Sequence, residues 1–193
     1  MNLSPGPREL FRKSLLFHGS MAIVSIIVIA LLYPLVEFVR PMNRVLSGFG
    51  IGFGIGVVWA SISVALPKIW SHARALETRL ALIFEGLNAG EVLILAALSS
   101  FAEELLFRGL MQPFLGLWVT SILFGMAHWT GDRRLLAWPL ISILAGFLLG
   151  KLSLWQPTGL SGAIGAHFAI NWIGLSRLSR ITKLPPDRFS EDE

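Results

Sequence analysis

The sequence contains no cysteine, which excludes a disulfide framework, a thiolate nucleophile and a Cys-ligated zinc or iron–sulfur centre. Charge is scarce too: 15% of residues are Asp, Glu, Lys or Arg, where a soluble domain carries about 25%. Apolar side chains make up 54% of the 193 residues, and there are 19 glycines besides. A chain so poor in charge is not disordered, and as a water-soluble monomer it would expose too much apolar surface. An all-α, polytopic transmembrane bundle remains, with lipid covering its exterior. The formal net charge of +4 would suit nucleic acid, but the basic residues lie between apolar stretches and not along one face. The expected surroundings are therefore the lipid bilayer, with no nucleic acid.

About six spans are expected within a single integral-membrane domain, 1–193. The first, near 15–36, follows Arg12 and Lys13. At roughly 1.5 Å per residue it crosses about 30 Å of hydrocarbon, and it is too long for the apolar centre of a cleaved signal. A second runs near 45–66 and is closed by Pro67. Residues 68–90 alternate charge with Leu and Ile, as an interfacial amphipathic segment does. Further spans are expected near 91–111, with Pro113 marking its end or the start of the next helix, then 114–129, 135–154 and 159–176, with a Gln156-Pro157-Thr158-Gly159 break before the last. An even count puts both termini on one side. If that side is cytoplasmic it holds the basic clusters of 8–13, 68–79, 133–134 and 177–188, leaving only Arg40, Arg44 and Lys151 outside, a positive-inside bias.

Gly48, Gly52 and Gly56 recur every fourth residue and so share one helix face, where they let a neighbouring backbone approach closely. No strand precedes them, so a nucleotide-binding loop is not implied. His18 and His72 are read as ordinary solvated or snorkelling imidazoles near span ends.

The informative residues are those that do not belong in hydrocarbon. Glu103, Glu104 and Arg108 lie inside the third apolar span, where each charge costs roughly 2.5 to 3.5 kcal/mol near the bilayer centre. Glu104 and Arg108 are four apart, the spacing of a helical ion pair. Glu103 is turned about 100° away and needs another partner. His128 closes Phe124-x-x-x-His128 on the fourth span, and His167 and Asn171 stand at i and i+4 on the sixth, aimed at one point.

A Glu, two His and an Asn suit the activation of water. Glu103 would act as general base with His128 holding the water, while His167 and Asn171 would donate hydrogen bonds to the oxyanion formed on a peptide carbonyl. Glu103, His128 and His167 could instead ligate Zn²⁺ with one open position. A noncatalytic binding site or a proton pathway would use the same groups, although the chain shows no internal repeat of the transporter kind.

Glu103-Glu104-x-x-x-Arg108, Phe124-x-x-x-His128 and His167-x-x-x-Asn171 resemble, in order and spacing, the three signature motifs of the CPBP (CAAX protease and bacteriocin-processing, or Abi) intramembrane endopeptidases, which include the type II CAAX prenyl endopeptidases. The motif-bearing core is about 91–176. The resemblance implies a glutamate-dependent intramembrane protease without a cofactor. In it Glu103 and His128 activate water, His167 and Asn171 form the oxyanion site, and Glu104, Arg108 and Phe124 give structural support. It further implies a membrane-anchored protein or peptide as substrate, such as a leader peptide or a C-terminal sorting tag of the myxosortase kind. The expected location is the bacterial inner membrane.

Overall fold

The computed structural model describes residues 7–33 and 40–181, and among them all regular structure is helical. The helices are α1 (Pro7–Leu32), α2 (Met42–Ala65), α3 (Ser71–Phe84), α4 (Ala89–Glu104), α5 (Gln112–Met126), α6 (Ala137–Leu154) and α7 (Gly159–Ile181). The outer end of the expected first span, from residue 34 to 36, lies outside the described residues, as do Lys183 and Arg188.

The exterior is apolar: Leu16, Leu31, Val58, Trp118 and Leu144 are all well exposed. The interior is built largely from small residues, among them Ala60, Ala96, Ala102, Ala163, Ala166 and Ala169. This inside-out distribution suits a bundle that meets lipid and is held by close backbone approach. Arg8–Leu32, Met42–Lys68 and Ala137–Leu154 are each long and apolar enough to cross a bilayer, and a fourth unit qualifies if α3 and the helix after it count as one bent span. Length and composition thus support fewer crossings than the six expected. The helix α5 has only 15 residues, and α7, with 23, is long enough but too polar.

The amphipathic connection forms α3, which meets the following helix at 113°. Asn88 starts α4 by accepting the Glu91 N–H at 3.0 Å, while the Glu91 carboxylate accepts the Asn88 N–H at 2.9 Å. Glu91 is therefore spent on a capping box and is not a buried charge.

Pro113 stands in the first turn of α5, the start of the next helix. The chain passes from α4 through a π-helical turn, Leu105–Met111, straight into α5. A proline crowds the carbonyl four residues back, and the wider π winding just before it gives that carbonyl room. The break falls instead at Gly116, whose backbone (φ 73°, ψ 172°) leaves the helical region. The next helix starts after a 3-10 turn, Arg133–Leu135, and α7 continues past the expected end near residue 176.

The glycine stripe packs α2 parallel to α7. Gly48 meets Thr158 and Ser161, Gly52 meets Gly162, and Gly56 meets Ala166; a Cβ on Gly52 would stand 1.9 Å from the Gly162 carbonyl oxygen. Contacts Ser99–Asn171 and Glu104–His167 set α4 antiparallel to α7. Phe11 and Leu15 of α1 pack with Leu87, Val92 and Leu95, and with Leu175 of α7. The start of α1 and the lower part of α7 thus share one end of the bundle.

Candidate active site

Two acidic residues end α4, and the π turn begins at once. Such turns are rare overall and frequently lie at functional sites. Glu104 is fully buried. Its Oε1 lies 3.2 Å from Arg108 Nη1, which is the ion pair expected from the spacing. The same oxygen accepts the Nδ1–H of His167 at 2.8 Å, a contact the spacing did not reveal. Arg108 also donates from Nη2 to the Gly146 carbonyl at 3.0 Å, and its guanidinium lies 4.4 Å from the centre of the Phe124 ring. Phe124 meets His167 edge-on at 5.6 Å. The three residues expected to give structural support thus form one buried knot, with His167 tied into it.

Glu103 stands at the edge of that knot, and its side chain keeps 15% exposure. Its Oε2 faces His167 Nε2 at 3.9 Å, too long for a direct hydrogen bond. A water could touch both atoms at such a separation. Its Oε1 faces Nε2 of His18, from α1, at 3.4 Å. His18 is therefore not the solvated span-end imidazole read from the sequence. The apolar helix begins at Pro7, three turns earlier in the chain, so position 18 is interior. The missed signal was available, because an ionisable residue within a span is a site candidate by default. His72 is exposed and touches only the Trp70 ring among the described contacts, at 6.1 Å, as expected.

His128 follows the end of α5. Its Nδ1–H donates to the Phe124 carbonyl at 2.8 Å, which leaves Nε2 for another partner. The ring packs between Phe124 at 5.0 Å and Trp138 at 5.6 Å. Among the described contacts it has no direct bond to Glu103. Asn171 donates from Nδ2 to the Ser99 hydroxyl at 2.9 Å, so Ser99 is a second residue that sequence reasoning passed over. His128, His167 and Asn171 all line a cavity of about 220 Å³, whose wall is otherwise mostly apolar and includes Ala60, Leu76, Trp138 and Leu149. Glu77 of α3 and Arg177 of α7, also on its wall, are joined by an ion pair.

The zinc alternative needs Glu103, His128 and His167 to converge. Among the described residues no group of three or more His, Asp or Glu is arranged to hold a metal ion.

No solved structure matches the chain significantly. A curated protein of Bacillus subtilis (strain 168), "Uncharacterized protein YpbD", is 30% identical over 125 residues, covering 60% of this chain and 65% of YpbD. The chain therefore spans just under two thirds of that relative. Residues 86–173 match the family described as type II CAAX prenyl endopeptidase Rce1-like, a description that points to a protease. The matched segment runs from before α4 to within α7 and contains Glu103, Glu104, Arg108, Phe124, His128, His167 and Asn171. It bears out the resemblance stated from the motifs: this segment, a little under half of the chain, is similar to that family, which is consistent with membership of the CPBP endopeptidases.

Proposed function

We propose that this protein is an intramembrane endopeptidase of the glutamic type that hydrolyses a peptide bond in a membrane-associated protein or peptide. Water held between Glu103 and His128 loses a proton to Glu103 as its oxygen attacks the scissile carbonyl carbon. The carbonyl oxygen becomes an oxyanion, to which His167 Nε2 and Asn171 donate. Donation from Nε2 needs a doubly protonated ring, whose charge the Glu104 carboxylate balances. Collapse of the intermediate breaks the C–N bond, and Glu103 returns the proton to the leaving amine.

The observation that carries this reading is the approach of Glu103 to His167 at 3.9 Å, beside an apolar cavity that His167 shares with His128 and Asn171. Such a cavity suits an apolar segment delivered from the bilayer, as in a leader peptide or a sorting tag with a transmembrane segment. We place the protein in a bacterial inner membrane, termini inside, with the basic clusters of 68–79 and 133–134 on that same face.

The test compares the membrane proteome of cells carrying wild type with that of cells carrying Glu103→Ala. A precursor that accumulates only with the variant names the substrate. Equal processing of every membrane protein by both would remove the protease reading and leave a binding or proton-pathway role.

A further inference from the structure

His18 lies on a largely apolar stretch of α1, within the span Arg8–Leu32, whose most apolar 18 residues have a mean hydropathy of 2.5 and are 17% buried. Most side chains of this helix face outward; His18 faces inward. Its own side chain and that of Glu103 are each 15% exposed, so the contact is largely withdrawn from solvent. An imidazole placed there without a partner would be expensive.

The ring's orientation is fixed at both nitrogens. Nδ1 lies 2.9 Å from the Ser14 carbonyl oxygen, which can only accept, so Nδ1 carries a hydrogen. Nε2 then points at Glu103 Oε1, 3.4 Å away. A bare imidazole nitrogen and a carboxylate oxygen are both acceptors. They attract only when a proton lies on the line between them, either as a carboxylic acid donating to nitrogen or as an imidazolium donating to carboxylate. A proton shared along that line would hold Oε1 toward α1. The other oxygen, Oε2, is left facing His167. The ionisable groups around Glu103 are His18 from α1, its neighbour Glu104, Arg108 from the π turn, His128 after α5 and His167 from α7. Of these, His128 and His167 line the cavity, while His18, Glu104 and Arg108 do not.

We propose that His18 is a positioning residue for Glu103: it anchors one carboxylate oxygen so that the other is presented to the reacting water. This rests on the reading of Glu103 as the water-activating base. The residue lies on a helix outside the segment 86–173 that carries the family match.

Two measurements test it. The chain has four histidines, so nitrogen-labelled histidine gives a tractable NMR spectrum in micelles without any substrate. The His18 signal, identified by its loss in His18→Gln, should shift in Glu103→Gln while the His72 signal stays. An unmoved His18 signal would overturn the contact. In cells, the precursor that accumulates with Glu103→Ala should be processed up to about 10²-fold more slowly by His18→Leu, the scale of a misplaced catalytic group. It should be processed faster by His18→Gln, whose amide can still donate to Oε1. Wild-type processing by His18→Leu, with Glu103→Ala inactive, would overturn the positioning role and leave the protease reading standing. Wild-type processing by Glu103→Ala would overturn both.

Discussion

Glu104 Oε1 is shared by two elements: it accepts from His167 of α7 at 2.8 Å and pairs with Arg108, one turn ahead, at 3.2 Å. The second carboxylate of the motif thus fastens an expected oxyanion donor to the helix that carries the expected base. Adjacent in sequence, Glu103 and Glu104 have separate tasks because successive helical positions point about 100° apart.

Removing Glu104 should therefore be felt as lost stability before anything else. Glu104→Ala leaves the Arg108 guanidinium buried without its counter-charge, at a cost of about 3–5 kcal/mol. Thermal unfolding in detergent should show a lowered midpoint. Glu104→Leu combined with Arg108→Met should recover much of that stability and none of the cleavage, since His167 stays untied.

The proposed oxyanion role separates Asn171 from its neighbour. Asn171→Ala should lower the cleavage rate by about 10² to 10³ with little change in KM. Ser99→Ala removes only the hydroxyl that receives the Asn171 amide at 2.9 Å and should cost a smaller factor. Equal losses would assign the amide to packing instead.

Much of this site was legible because its residues come in pairs four apart, a spacing that a helix converts directly into shared direction. Glu104–Arg108, Phe124–His128 and His167–Asn171 all read that way. The contacts missed are the ones between distant helices. His18 meets Glu103 only because α1 lies parallel to α4, a packing choice no local pattern records. The break at Gly116 was hidden behind Pro113, because a proline is the stronger local signal and the preceding π turn cancels its usual effect.

The glycine seam gives a test with an internal control. Gly52→Ala would drive a methyl into the Gly162 backbone and should destabilise the bundle by about 1–3 kcal/mol. At Gly54 an added Cβ meets nothing within 4 Å. Gly54→Ala should be neutral or gain up to about 1 kcal/mol from helix propensity. Melting curves of the two variants should move in opposite directions or differ clearly in size.

At Gly116 the backbone, not the space, is limiting. No atom stands within 4 Å of a Cβ built there, yet φ is 73°, a region that side chains avoid at about 1–3 kcal/mol. Gly116→Ala should lower the unfolding midpoint and also reduce cleavage, because α5 carries Phe124 and leads to His128.

Metal removal should leave catalysis intact. Purified protein exhaustively dialysed against a chelator is expected to cleave its substrate at the untreated rate. Loss of activity restored by zinc alone would transfer Glu103, His128 and His167 to the ligand set of a metallohydrolase.

The widened winding at Leu105–Met111 amounts to one surplus residue wedged into a rod. Deleting a single position there, Leu106 for instance, would let ordinary coiling resume without severing the chain. The stretch up to the break at Gly116 would then swivel by about 100° about the rod's axis, taking the chain beyond it to a new position. Gln112, which donates to the Gly150 carbonyl at 3.2 Å, would lose its grip on α6. The imidazole beyond α5 would be carried out of alignment with the acids behind it. The extra residue is thus the phase adjustment that keeps Gln112 turned toward α6 while Glu103 and Glu104 face their histidines.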